Sequence, residues 1–192
     1  MQVGLIRLVQ KTFPPGAKIS VLSVFGANQP KALQQEYDHS SKYPLELLSG
    51  LKPTFYPLGD KKQGSELFTE IRNAVGFLPC LLLLLALRAG ISPRLAAGVL
   101  SPQARKTLLA IADADVVIWN GRNFRCRNNP ALEVFRTLHL VYHPLVALAL
   151  HKKIACVGAS VWPMNSPAAR RILRTVFQKC CFISLRESES FL

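Results

Sequence analysis

The chain has 192 residues, of which 49% are hydrophobic and 18% are charged. This length suits one domain of ordinary size, and this composition excludes a chain that is disordered as a whole. The 24 basic residues against 11 acidic ones give a formal charge of +13. That excess favours an anionic partner: a phosphorylated metabolite, an acidic glycan, nucleic acid or a membrane surface. Because the basic residues are spread along the chain and not interleaved with tyrosines, we expect no nucleic-acid partner.

The cysteine pattern and the N-terminal residues bear on the cellular location. The five cysteines are odd in number and include no CxxC pair, which excludes a disulfide framework and a zinc site. Cys156 falls in an apolar segment and is expected to act as a small buried hydrophobe. Residues 1–10 lack the basic, apolar and small-residue succession of a signal peptide. The sequence therefore predicts a cytoplasmic location, and peripheral association with a membrane is a further option.

The first third of the chain alternates patterned and irregular segments. Val3–Phe13 has the apolar spacing of an amphipathic helix, which the following Pro-Pro-Gly ends. Lys18–Phe25 predicts a strand. Residues 28–64 are polar and rich in proline, with a short strand predicted at Thr54–Tyr56.

A leucine-rich segment follows. Glu66–Arg72 predicts the start of a helix with Ser65 as its N-cap. Val75–Leu87 is then a nearly continuous apolar run of 13 residues that contains Pro79. Because a membrane-spanning helix needs about 20 apolar residues, we interpret the run as a buried or interfacial helix. A short membrane-associated helix is the alternative.

The remaining elements alternate between helix and strand, and two helices begin with a Ser-Pro pair that suits an N-cap and first helical position. We predict helices from Pro102 to about Ala112, from Pro130 to Leu150 and from Pro167 to about Lys179, and strands at Asp115–Trp119, Ile154–Gly158 and Cys181–Leu185. This alternation indicates an α/β fold with a parallel sheet and flanking helices. Since the chain starts inside a helix and ends after a strand, we expect a fragment that is truncated at both ends.

Candidate functional residues follow the predicted strands, because open α/β sheets bind ligands at the carboxyl ends of their strands. Asn120 and Gly121 belong to a polar turn after the first of these strands, although this turn taken alone favours an ordinary βα connection over a ligand site. After the next strand, the amides of Gly158–Ser160 and the Ser160 hydroxyl form a candidate oxyanion site, walled by Trp162-Pro163. Arg186 ends the last strand and suits a carboxylate or phosphate, unless Glu187 neutralises it in a structural pair.

Several other chemistries are disfavoured by the pattern. Ser160 does not lie in a nucleophile elbow, so a serine hydrolase is not predicted. His139 and His143 are spaced i, i+4 on a predicted helix but lack an evident third ligand, so no metal site is predicted. Neither a Walker sequence nor a Gly-x-Gly-x-x-Gly occurs. Most arginines of the helix after Pro167 are interpreted as solvated surface.

The order of these motifs resembles the polysaccharide pyruvyl transferase family. The matching segments are an acidic-apolar strand ending in a glycine turn (Ala114–Gly121), a Gly-x-Ser-x-x-Pro segment (Gly158–Pro163) and an Arg-Glu-x-x-Ser ending (Arg186–Ser190). The resemblance covers residues 112–192 and extends loosely before them. Two positions depart from the family pattern: Arg122 replaces a second glycine, and Val161-Trp162 replaces an Ile-Gly pair.

The resemblance implies that residues 1–192 form the Rossmann-like N-terminal lobe of a two-lobed fold like the GT-B glycosyltransferases. It implies transfer of a pyruvyl group from phosphoenolpyruvate to a sugar of a polysaccharide or glycan, without a cofactor. Arg186 is then expected to contact the anionic donor, with Asn120, Gly121 and Ser160 lining the cleft. No catalytic residue is assigned, since the acid-base group is expected on a second lobe. Two alternatives stay open: a non-catalytic lobe that binds a nucleotide-sugar, and a basic membrane-associated protein.

Overall fold

A computed structural model of the protein describes residues 19–22, 45–48, 51, 66–120, 123–124 and 129–186. In chain order its elements are strands β1 (Ile19–Leu22) and β2 (Leu45–Leu48), helices α1 (Glu66–Arg88), α2 (Pro93–Ala97) and α3 (Pro102–Asp113), strands β3 (Val116–Asn120) and β4 (Asn123–Phe124), helix α4 (Pro130–Ala149), strand β5 (Lys153–Val161), helix α5 (Pro167–Phe177) and strand β6 (Cys180–Leu185).

The main sheet is parallel and has β5 at its centre. β3 pairs with β5 in a register that places Val116 opposite Lys153 and Asn120 opposite Val157. The two-residue β4 continues the pairing along the same edge of β5. β6 pairs with the opposite edge of β5. Helices connect these strands, as parallel pairing requires. The prediction of an α/β fold with a parallel sheet and flanking helices, the arrangement of Rossmann-like domains, is confirmed. β1 and β2 form a separate parallel pair.

One face of the main sheet forms the core beneath the connecting helices. Trp119 and Cys156 are register partners and share this face, where both are buried. The Phe177 ring of α5 lies 6.3 Å from that of Trp119, measured between centroids. The expectation that Cys156 packs as a small buried hydrophobe is confirmed, because its exposed fraction is 0%.

Side-chain caps define where the connecting helices begin. The Ser101 and Ser166 hydroxyls accept hydrogen bonds from the amides of Ala104 and Ala169, so both predicted Ser-Pro starts are confirmed. Asn129 caps α4 in the same way and also precedes a proline. Each cap satisfies amides that the first helical turn leaves without a carbonyl partner.

Helix α1 packs on α4 through aromatic contacts. The Phe77 ring makes an edge contact with the Tyr142 ring, at 5.4 Å between centroids. The Tyr142 hydroxyl donates to the Cys80 carbonyl oxygen at 2.9 Å, and burial raises the pKa of this phenol well above its usual range. Helix α1 ends at Arg88, and Gly90 in the following turn has a positive φ of 85° that allows the amide of Ile91 to donate to the Ala86 carbonyl. The predicted helix over the leucine-rich segment is confirmed.

Other expectations need correction. β2 lies inside the segment interpreted as irregular, and α2 was not predicted at all. β5 continues three residues beyond the predicted strand end, and α5 ends at Phe177, before the expected Lys179. The helix predicted at Val3–Phe13, the strand at Thr54–Tyr56 and the cap at Ser65 lie outside the described residues.

Candidate functional site

The carboxyl ends of β3, β5 and β6 lie at one edge of the sheet, because all three strands run in the same direction. Asn120 is the last residue of β3, Ser160 lies one residue before the end of β5, and Arg186 directly follows β6. The structure therefore brings three of the four predicted ligand-binding residues to one edge. Gly121 and its neighbour Arg122 lie outside the described residues. Their assignment to the cleft stays a prediction.

Arg186 is anchored to the central strand by two hydrogen bonds. Its amide donates to the Ala159 carbonyl at 2.9 Å, and its side-chain Nε donates to the Gly158 carbonyl at 2.7 Å. Gly158 has a φ of 68°, and a Cβ added there would lie 3.8 Å from the Arg186 Cγ. The β5–β6 register shifts between Val157 and Ala159, so Gly158 occupies a bulge that the arginine side chain covers. These contacts hold the exposed Arg186 at the carboxyl edge of the sheet. Glu187 lies beyond the described residues.

The prediction that Ala159 and Ser160 follow the strand in a polar turn is wrong, since both residues belong to β5. Ser160 pairs with Asn123 of β4 and is only 1% exposed. The added pairing with β4 keeps the chain extended through Val161, and the amide of Trp162 then donates to the Phe124 carbonyl. Burial of Ser160 argues against its hydroxyl as an open oxyanion site, and its role in ligand binding stays a prediction. Trp162 is 55% exposed just beyond the strand.

Glu133 connects the two helices that leave this edge, a role that was not predicted from the sequence. Its side chain is 1% exposed in the first turn of α4, and Oε1 accepts a hydrogen bond of 3.3 Å from the amide of Ser166, the N-cap of α5. Negative charge is favoured there, because both helix N-termini present partial positive charge. Glutamate is rarely fully buried, so its position in the first turn was the only available signal.

Within the described part of the chain, the arginines of α5 and the histidines of α4 do not converge on the candidate site. Arg171 and Arg174 are exposed on α5, and Arg170 donates to the carbonyl of Met164, which agrees with a surface role. The Nε2 atom of His143 accepts a hydrogen bond of 3.1 Å from the amide of Leu51. Among the described residues, no group of three His, Cys, Asp or Glu side chains is placed to hold a metal ion.

Two sheet cysteines are poorly suited to nucleophilic chemistry. Burial, reinforced by the nearby Cys180, raises the pKa of the Cys156 thiol to about 12. Burial and the neighbouring Cys181 raise the pKa of Cys180 to about 11. Since the thiolate is the reactive form, both side chains are protonated and slow to react at neutral pH. Cys181, in contrast, is exposed on β6.

We therefore expect Cys181 to be the fast-reacting thiol of the described residues. In a Cys126→Ser background, which removes the cysteine outside those residues, titration of the native protein with an aromatic disulfide reagent at neutral pH should show one fast phase. Cys181→Ser should abolish that phase, whereas the control Cys180→Ser should leave it unchanged. A fast phase that survives Cys181→Ser would contradict the placement of these side chains.

Comparison of the chain with models of protein families, with curated proteins and with solved structures found no match in any of the three. The geometry of the site and the motif resemblance are therefore what support a function for this chain.

Proposed function

We propose that the chain is the N-terminal lobe of a GT-B-like, two-lobed transferase of the polysaccharide pyruvyl transferase type. In this proposal it binds phosphoenolpyruvate, whose pyruvyl group moves to a sugar of a cell-surface polysaccharide or glycan. The motif order of residues 112–192 supports the family, and the parallel β3–β5–β6 sheet agrees with a Rossmann-like lobe. The observation that carries the proposal is the anchoring of Arg186 at the carboxyl edge of that sheet.

Arg186 suits an anionic donor for a physical reason. A guanidinium offers planar N–H groups that match carboxylate and phosphate oxygens, and phosphoenolpyruvate has one group of each kind. The bond from Nε to the Gly158 carbonyl fixes the side chain before a ligand arrives, which lowers the entropy lost on binding. The formal charge of +13 adds a general attraction for the same anion.

The proposed reaction balances as a ketal transfer. A proton adds to the methylene carbon of phosphoenolpyruvate, which becomes a methyl group, and two sugar hydroxyl oxygens form bonds to the adjacent carbon. The bond from that carbon to the phosphate-bearing oxygen breaks, and phosphate leaves. One of the two hydroxyl protons replaces the proton that the methyl group has taken up, and the other protonates the departing phosphate. Arg186 stabilises the negative charge of the donor and leaving group, and we assign no proton transfer to this chain.

Arg186→Ala in the full-length protein is expected to weaken phosphoenolpyruvate binding by about 1.5–3 kcal/mol, or about 10- to 150-fold, the scale of a hydrogen bond to a charged group. Isothermal titration calorimetry with phosphoenolpyruvate measures the change. Arg174→Ala, which removes an exposed arginine from α5, is the matched control and should leave the affinity unchanged.

Equal affinity of Arg186→Ala and the unaltered protein would remove Arg186 from the site. Binding of a nucleotide-sugar by the unaltered protein, with no binding of phosphoenolpyruvate, would instead favour the non-catalytic sugar-nucleotide lobe. Thermal unfolding of both variants checks that the arginine substitutions leave the fold intact.

A further inference from the structure

Helix α1 is apolar on two opposite faces, of which the residues that the structure describes cover only one. Phe77, Cys80 and Leu84 are buried on the face toward α4. Four large apolar side chains, spaced i, i+3, i+7 and i+10, lie exposed on the other face, with exposed fractions of 65%, 53%, 59% and 60% for Val75, Leu78, Leu82 and Leu85. We call these four residues the leucine face. A helix that is apolar all round normally lies inside a protein or against lipid.

The exposed apolar surface continues into the next segment. Ile91, Leu95 and Val99, which lie in and around α2, have exposed fractions of 45%, 74% and 89%. Single exposed apolar side chains are common, but seven large ones within 25 residues form an unusual concentration. Concentrations of this kind mark surfaces that bind a partner or a membrane.

The charges of this region indicate which partner fits. Residues 71–112 contain five basic residues and no acidic residue. Arg88, at the end of α1, and Arg94, in α2, are both exposed beside the apolar side chains. Lys106 is exposed on α3. Arginine and lysine near a bilayer interact with anionic headgroups, at about 1 kcal/mol per residue. A second copy of the chain would bring like charges together on this surface, which disfavours self-association.

Of the helices within the described residues, none combines the length and the apolar character needed to cross a bilayer. A helix with exposed leucines on one side and arginines beside them instead suits the plane of the membrane interface. We propose that the leucine face of α1, together with Arg88 and Arg94, docks on an anionic lipid surface. This proposal is independent of the proposed transferase activity.

Co-sedimentation with phosphatidylcholine vesicles containing about one-third phosphatidylserine tests the proposal. The full chain is expected to bind these vesicles and to bind pure phosphatidylcholine vesicles more weakly. Leu78→Gln/Leu82→Gln/Leu85→Gln should lower the partition coefficient at least about a hundredfold, since it removes three apolar anchors while keeping good helix formers. Arg88→Gln/Arg94→Gln should lower it about 30-fold, and only for the anionic vesicles.

Phe182→Gln is the matched control, because Phe182 is 56% exposed on β6 and its loss should leave vesicle binding unchanged. Binding by the triple leucine variant at the level of the unaltered chain would overturn the proposal. So would the conversion of a dimer to a monomer by that variant, which would identify a second copy as the occupant. A large loss of thermal stability in the triple variant would also overturn it, since the leucines would then be packed inside the protein.

Discussion

Phe77→Ala is expected to lower the free energy of unfolding by about 3–5 kcal/mol, the usual cost of truncating a buried phenylalanine. Phe77 is 1% exposed and makes edge contacts with Phe135 and Tyr142, at 5.7 Å and 5.4 Å between ring centroids. Alanine would leave a cavity between α1 and α4 and remove both aromatic contacts. For a chain of this size the loss corresponds to about 6–20 °C in melting temperature.

The neighbouring Leu78→Ala provides the control for Phe77→Ala. Leu78 is 53% exposed on the opposite face of the same helix turn, so we expect a change within about 0.5 kcal/mol. Urea unfolding followed by circular dichroism measures both variants. Equal losses from the two substitutions would mean that α1 is oriented differently, and they would contradict the exposure of the leucine face as well. The stability comparison therefore tests the orientation on which the lipid-docking proposal depends.

Local sequence signals predicted the helix starts and the strand alternation well. Ser101 and Ser166 each combine an N-cap hydroxyl with a following proline, and both form the predicted caps. The alternation of apolar strands and long helices was sufficient to place Asn120, Ser160 and Arg186 at one edge of a parallel sheet. These features depend on residues close together in the chain, which the sequence displays directly.

Features that depend on distant contacts were missed. β5 extends through Val161 because β4 pairs with it, so Gly158 marks a bulge inside the strand at the point where the strand was predicted to end. The carbonyl of that glycine accepts from Arg186, 28 residues away, which no local pattern indicates. β2 is held by pairing with β1, although its own segment looked irregular.

The leucine-rich run shows where periodicity alone was insufficient. Leu82 and Leu84 are equally apolar in the sequence, but Leu84 is 7% exposed and Leu82 is 59% exposed. The contact with α4 determines which face of the helix is covered, and an all-apolar helix does not reveal that choice. The interpretation as a buried or interfacial helix therefore did not predict which face is buried. The structure shows that the face toward α4 is buried and the leucine face is exposed.

Glu133→Ala is expected to lower the free energy of unfolding by about 2–5 kcal/mol. The substitution leaves the Ser166 amide without its carboxylate acceptor, which costs about 1–3 kcal/mol for a buried donor, and it also creates a cavity. Glu133→Gln is the matched control, because it keeps the volume and an oxygen acceptor while removing the negative charge beside the helix N-termini, which contributes about 0.3–1 kcal/mol. Urea unfolding of both variants gives the comparison. Similar small losses in the two would mean that the bond to Ser166 contributes little and that the helix starts at the carboxyl edge are held by the Ser166 and Asn129 caps alone.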